Sequence, residues 1–374
     1  MQTRALPPAI ALVPGFFGFE HRGDHTYFAD RFVAGLRCVL EALGVVGVPV
    51  VCVSTLGIAS LHCRQGDLLR ELRALETPLG GPRTWHILGH STGGVDAALL
   101  LRDTPLVIDE ETTSYGTEGW GEWESVVQRV SSVVSIAAPH FGTGLAMTQI
   151  GQFVSGHPSL AAARDLLRAT LDIARRGDLE SRVRFAMSAA PSAAKMPSFL
   201  LQMMLMNDLA RDLRPDVLGK LSSRPLRSET LDRAFSVVTV APRPPEDHPD
   251  KLFRDLWKWT HDGSMGSSMY CPEASPLNDP ALKLPTQRES EMPFEDEGDN
   301  DGVVTTHRQI FGKPLALIMC DHVDVLGRYR RTSLIDEKVI DSGLLTSGAE
   351  FGDDEFFGML VRIGEKLAEM VRTA

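Results

Sequence analysis

The chain has 374 residues, 43% hydrophobic and 23% charged, which is ample for a large core and argues against wholesale disorder. Its 38 basic and 49 acidic side chains leave a formal charge of −11. A field of that sign repels phosphate, so no nucleic-acid or anionic-lipid partner is expected. The length fits one enlarged α/β domain or two ordinary ones.

Ala9–Val13 is a short apolar run stopped by Pro14-Gly15 and reads as a buried strand and turn. Phe28, Phe32, Leu36, Val39, Leu40 and Leu43 then recur at helical spacing, closed by Gly44. Val48–Ser54 reads as a second strand, and Leu68, Leu69, Leu72 and Leu75 mark the next helix. Trp85–Leu88 is strand, Gly89–Gly94 a tight turn, Val95–Leu101 helix and Val130–Ala137 strand again. Strands alternating with helices predict an α/β fold with a mainly parallel sheet buried on both faces.

The pattern turns helical from Met147 to about Asp232, clearest at Leu160–Arg176, Phe199–Arg211 and Asp216–Leu221. Strand character returns at Phe235–Val240 and Pro314–Met319. An amphipathic helix carrying Phe356, Phe357, Leu360, Ile363, Leu367 and Met370 follows at the end. The expected organisation is a discontinuous core, 1–146 and 235–374, with a helical cap or lid over 147–234. Asp109–Glu124 carries six acids, and Glu289–Asp301 seven with no base; both read as solvated loops.

Five cysteines, Cys38, Cys52, Cys63, Cys271 and Cys320, are too few and irregular for a disulfide framework, and most read as small buried hydrophobes. They fit a reducing compartment. The first residues do not read as a signal peptide, and no run approaches the ~20 apolar residues of a membrane span. A cytoplasmic location is therefore the expectation.

Gly89-His90-Ser91-Thr92-Gly93 fits G-x-S-x-G between a hydrophobic strand and a helix. That setting puts Ser91 on a sharp turn with its hydroxyl exposed. The Thr92 amide, at a helix N-terminus, then points to where an oxyanion would form. A serine nucleophile needs a base, and the base an acid that fixes its tautomer. In a sheet of this kind the order along the chain is Ser, acid, His.

Of eleven histidines, His140, His157, His248, His261, His307 and His322 lie downstream of Ser91. His322 directly follows the strand Pro314–Met319, at the strand end where such sheets do chemistry. His307, before that strand, is the weaker candidate. Asp301, in Asn300-Asp301-Gly302, is the candidate acid; the same residue before Gly also reads as a plain turn. The loop Pro14-Gly15-Phe16-Phe17-Gly18 follows the first strand, and the Phe16 amide is the second candidate oxyanion donor.

These motifs resemble those of bacterial true lipases of the Pseudomonas/Burkholderia type, within the α/β-hydrolase superfamily. Pro14–Phe19 is similar to their oxyanion loop, Gly89–Gly94 to their Gly-His-Ser-x-Gly-Gly elbow, and Ala138–Thr143 to their Ala-Pro-His-x-Gly-Ser loop. Asn300–Val304 is similar to the segment with their catalytic Asp, and Asp321–Asp324 to that with their catalytic His. The resemblance covers roughly 9–146 and 235–330.

The resemblance implies the α/β-hydrolase fold and an ester hydrolase with the triad Ser91, Asp301 and His322. No cofactor would be needed for chemistry. A structural calcium would fall on Asp324 and on Asp279, within Ser275–Asp279; two surface aspartates without metal is the equal alternative. Pro14 stands where those lipases have a histidine that helps hold the oxyanion loop.

Phe199–Met206 is apolar at seven of eight positions, too many for one buried helix face. It reads either as a core helix or as a lid for an acyl chain, which methionine suits. Phe17, His90, Phe199, Met203 and Met206 are the expected substrate contacts. Trp257 and Trp259 read as core packing or as part of the same mouth. The functional expectation is a lipase or esterase acting on a small-molecule or lipid ester. The alternatives are an acyltransferase with the same triad and a catalytically silent binding protein.

Overall fold

The computed structural model of the protein describes residues 6–16, 21–22, 25–57, 59–108, 113–116, 119–147, 208–265, 275–287, 296–332, 339–342 and 345–373. Its centre is a sheet of β1 (Pro8–Val13), β2 (Val50–Cys52), β3 (Thr84–His90), β4 (Val130–Ile136), β5 (Ala234–Val240) and β6 (Lys313–Met319). The order across the sheet is β6-β5-β4-β3-β1-β2, and every neighbouring pair is parallel. Strands from before and after residues 148–207 pair directly, β4 with β5, so both flanks build one sheet. The expected helices Leu160–Arg176 and most of Phe199–Arg211 lie outside the described residues.

The strands read as continuous apolar runs because helices cover both faces. Along β1 the side chains alternate. Ile10 and Leu12 join one core with Phe32, Leu36 and Leu40 of α1 (Asp30–Ala42) and Phe356, Leu360, Ile363 and Leu367 of α8 (Asp353–Thr373). Ala9, Ala11 and Val13 join the opposite core with Leu68, Leu69 and Leu72 of α2 (Leu61–Glu76) and Ala97 and Ala98 of α3 (Thr92–Leu99). Each large side chain so buried contributes roughly 1.5–3 kcal/mol.

Short helices α4 (Glu124–Val127), α5 (Asp208–Asp212) and α6 (Pro215–Ser222) follow, the last with Pro215 in its first turn. The 15-residue helix α7 (Lys251–Met265) was not expected from the sequence. It buries Phe253, Trp257, Thr260 and Ser264, a mixed stripe in which polar residues take half the positions. Trp257 packs against Ala241, Phe253, Val323 and Leu345.

Two further expectations change. Asp299, Asn300 and Asp301, the end of the acidic run, are buried rather than solvated. Of the four described cysteines, only Cys320 is buried and Cys38 is exposed. Among the described residues no helix is long and apolar enough to cross a membrane.

Candidate active site

β1 and β3 are neighbours, but the chain leaves β1 toward the β2 edge and leaves β3 toward β4. Loops that part in opposite directions open a crevice at the carboxyl ends of the two strands. The β1 end delivers Pro14-Gly15-Phe16 to that crevice, and the β3 end delivers Gly89-His90-Ser91.

Ser91 sits between β3 and α3 with φ 54° and ψ −130°, a conformation side chains rarely adopt. Its amide donates to Ile136 O at 2.9 Å and its carbonyl accepts from Gly94 N at 2.9 Å, which holds the turn. Gly93 makes the geometry possible. A Cβ there would lie 2.4 Å from the Val13 carbonyl oxygen, so α3 starts directly against the end of β1.

His322 follows β6, and its Nε2 lies 2.9 Å from Ser91 Oγ. Its Nδ1 lies 2.9 Å from Asp301 Oδ2. A carboxylate only accepts, so Nδ1 carries the proton and the Nε2 lone pair faces the serine O–H. Backbone joins the same pair, with His322 N donating to Asp301 O at 3.0 Å.

Asp301 is fully buried. Its Oδ1 accepts from the amides of Val303 (3.0 Å) and Val304 (2.8 Å), and its Oδ2 from Thr239 Oγ1 (2.6 Å) and Gln309 Nε2 (3.3 Å). Asn300 fixes the turn, accepting from Gly302 N at 2.8 Å and donating to the Trp257 carbonyl at 3.1 Å. The unexpected helix α7 thus positions the turn that carries Asp301. Among the described residues the imidazole that meets Ser91 Oγ is that of His322. His307 lies in the turn Thr306–Gln309, with its pKa pushed down to about 4 by burial and then by Arg308.

Gly15 lies against Ser91, where a Cβ would come within 2.7 Å of Ser91 Cβ. Phe16 packs against the apolar cluster that includes Leu61, Val95, Leu99 and Leu213. Thr92 opens α3 beside Ser91. The loop is braced from below by Arg64, fully buried, whose Nη2 reaches Pro14 O at 3.3 Å and Gly15 O at 3.5 Å. The same guanidinium grips Asp96 of α3, with Nη2–Oδ2 at 2.6 Å and Nε–Oδ1 at 3.2 Å. Burial pushes the Asp96 carboxyl up, against the opposing charge of Arg64. Sequence reading missed this pair. Its signal was a charge inside each of two apolar helical stripes.

Of the expected substrate contacts, Phe17, Phe199, Met203 and Met206 lie outside the described residues. His90 is 1% exposed, and its ring nitrogens bond Tyr27 Oη and the His322 carbonyl, both at 2.8 Å. His140, in the loop after β4, is buried, stacks on Phe311 and contacts Ser135 Oγ at 2.9 Å.

Asp279 and Asp324, the expected calcium ligands, each accept from a backbone amide. Asp279 is exposed and caps a helical turn, accepting from Ala281 N at 2.9 Å. Asp324 is buried and accepts from Asp321 N at 3.1 Å, inside the loop that carries His322. Asp321 in turn accepts from the amides of Val323 and Asp324. Burial, and after it the charge of Asp301, pushes the Asp321 carboxyl up to about 7, while burial and the Asp321 charge push Asp324 up. Among the described residues no group of three or more His, Cys, Asp or Glu could hold a metal.

No family model matches the chain. A triacylglycerol lipase of Pseudomonas fragi is 26% identical over 148 residues, 39% of this chain and 40% of that protein. The match therefore spans less than half the length of that relative. EstA of Clostridium botulinum aligns over 98% of this chain and 89% of its own, at 16% identity and TM-score 0.50. Lipase 1 of Pelosinus fermentans aligns over 97% and 99%, at 17% identity and TM-score 0.49. The parallel six-stranded sheet flanked by helices is the α/β-hydrolase fold.

Proposed function

We propose that the protein hydrolyses carboxylic esters, in the manner of a lipase or esterase, with Ser91 as nucleophile, His322 as base and Asp301 as its orienting acid. One observation carries this reading: the unbroken chain Asp301 Oδ2–His322 Nδ1 and His322 Nε2–Ser91 Oγ, each link 2.9 Å, ending on a strained serine.

Ser91 Oγ attacks the ester carbonyl carbon while its proton passes to His322 Nε2. The carbonyl oxygen becomes an oxyanion held by the amides of Thr92 and Phe16, at the end of α3 where the helix dipole favours negative charge. Asp301 faces the imidazolium across one hydrogen bond. Collapse breaks the ester C–O bond, and Nε2 protonates the departing alkoxide. Water, deprotonated by His322, then attacks the acyl-enzyme and releases acid and Ser91.

The likeness of five motifs to true lipases, and the Pseudomonas fragi match, support an acyl-lipid ester as substrate, with Phe17, Phe199, Met203 and Met206 as its contacts. Five irregularly spaced cysteines, too few for a disulfide framework, favour action in a reducing, cytoplasmic setting.

Ser91→Ala is expected to lower p-nitrophenyl butyrate turnover by roughly 10⁴-fold or more at unchanged melting temperature, with fluorophosphonate labelling lost. Turnover retained in that variant rejects the proposal. Release of free acid, rather than an ester of an added alcohol, separates hydrolysis from acyl transfer.

A further inference from the structure

The loop after β1, which carries the proposed oxyanion donor Phe16, is linked to the loop after β6 by two buried polar side chains. We infer that Tyr27 and His90 are positioning residues that tie the oxyanion loop to the backbone of His322. This rests on the hydrolase reading above.

Tyr27 and His90 are both buried, 7% and 1% exposed. The Gly15 amide donates to Tyr27 Oη. The contact is close enough that a Cβ on Gly15 would come within 2.5 Å of that oxygen. Tyr27 Oη lies 2.8 Å from His90 Nδ1, and His90 Nε2 lies 2.8 Å from the His322 carbonyl.

Chemistry fixes the direction of every link. A carbonyl only accepts, so Nε2 bears the proton of His90. Burial, together with the neighbouring His322 ring, holds the His90 pKa well below the usual histidine range, so the ring is neutral and Nδ1 is a lone pair. The phenol must then donate to Nδ1, which leaves its oxygen lone pairs for Gly15. The chain runs one way only: Gly15 N–H, Tyr27 O–H, His90, His322 C=O.

Its two ends are the two halves of the proposed chemistry. At one end it holds the amide of Gly15, while Arg64 reaches the Gly15 carbonyl at 3.5 Å. In a trans peptide that oxygen and the Phe16 N–H point opposite ways, so anchoring Gly15 aims the oxyanion donor. At the other end, the His322 carbonyl is held by His90 while its amide is held by Asp301 O at 3.0 Å. Both peptide groups of the base are thereby fixed, with the two imidazole centroids 4.8 Å apart. Neither Tyr27 nor His90 touches the reacting atoms; they act through Phe16 and His322.

The test is steady-state hydrolysis of p-nitrophenyl butyrate by Tyr27→Phe, His90→Leu and the double variant, with Ser91→Ala as reference. Tyr27→Phe is expected to lower kcat by roughly 10- to 100-fold with KM within about twofold, the mark of an interaction made in the transition state. His90→Leu is expected to do the same, and the double variant to lose no more than the worse single one, because one chain is cut either way. Affinity for a phenylboronic acid is expected to fall in step with kcat.

Unchanged kcat in Tyr27→Phe, a loss carried by KM alone, or single losses that multiply in the double variant would each overturn the inference. If His90→Leu does not fold, the kcat and boronate readings on Tyr27→Phe still decide. A wild-type enzyme whose turnover does not depend on Ser91 refutes the hydrolase reading instead; Ser91-dependent turnover with a fully active Tyr27→Phe refutes only the relay.

Discussion

Asp301→Asn gives the sharpest test of the role proposed for Asp301, because the surroundings dictate which way the amide turns. Oδ1 faces the Val303 and Val304 amides at 3.0 and 2.8 Å, fixed donors that cannot reverse. The asparagine oxygen must take that place, and its NH₂ must replace Oδ2. One amide proton then points at His322 Nδ1, across the 2.9 Å gap. It forces the imidazole proton onto Nε2, where it faces Ser91 and blocks proton uptake.

The second amide proton points at Thr239 Oγ1, which can turn its own proton to Gln309 Oε1, 3.0 Å away. Gln309 Nε2 keeps the carbonyls of Thr239 (3.0 Å) and Val304 (3.2 Å). The network closes again, and the expected stability change is about 1 kcal/mol. The kcat loss is expected to be about 10⁴-fold, or about 5 kcal/mol of transition-state stabilisation, with KM little altered. Steady-state kinetics with p-nitrophenyl butyrate and a melting curve check both. A kcat within tenfold of wild type would refute the reasoning.

Three other outcomes are open to direct measurement. Arg64→Leu leaves Asp96 buried and uncompensated, so the urea midpoint should fall by the equivalent of about 3–5 kcal/mol. Adding Asp96→Leu should restore most stability but not kcat, since Pro14 and Gly15 still lose their brace; an unchanged midpoint in the single variant would contradict the ion-pair argument. Burial holds His86 at about 4 and His140 at about 3, against the usual 6.5. Below pH 6.5 the unfolded chain therefore binds more protons, and stability falls as pH drops toward about 4. Each ring adds a slope of about 1.4 kcal/mol per pH unit. Urea midpoints at pH 7 and pH 5 should show this, and His140→Gln should flatten the slope; equal slopes would exclude His140 as a source. EDTA is expected to leave kcat unchanged. A loss restored by calcium would return Asp279 and Asp324 to the role of ligands.

What could be read from the sequence, and what could not, divides along a physical line. The strands were legible because a parallel sheet covered on both faces needs unbroken apolar runs, and Ala9–Val13 is such a run. The serine turn was legible because its close approaches exclude side chains, and glycine at 89, 93 and 94 records that in three letters. Ser91, Asp301 and His322 could be singled out because each sits at a strand end in a fixed order.

Arg64–Asp96, Thr239 and Gln309 beneath Asp301, and Tyr27–His90 carry no such mark. Their partners lie 32, 62, 8 and 63 residues away, and only the assembled sheet makes them neighbours. A charged or hydroxyl residue in a buried stripe shows that a partner exists, but pairing is decided by topology. The crevice between β1 and β3 makes the same point. The loop after β1 and the serine after β3 meet there because the chain reverses its winding between those strands, a property of strand order that no local pattern encodes. Three of the bracing contacts converge on that reversal: Arg64 joins α2 to α3 beneath it, Gly93 closes α3 onto β1, and Tyr27 and His90 join the β1 loop to the β6 loop across it. Mutations along this seam should therefore change turnover more than they change folding, whereas equally buried changes in the Phe32–Phe356 core should do the opposite.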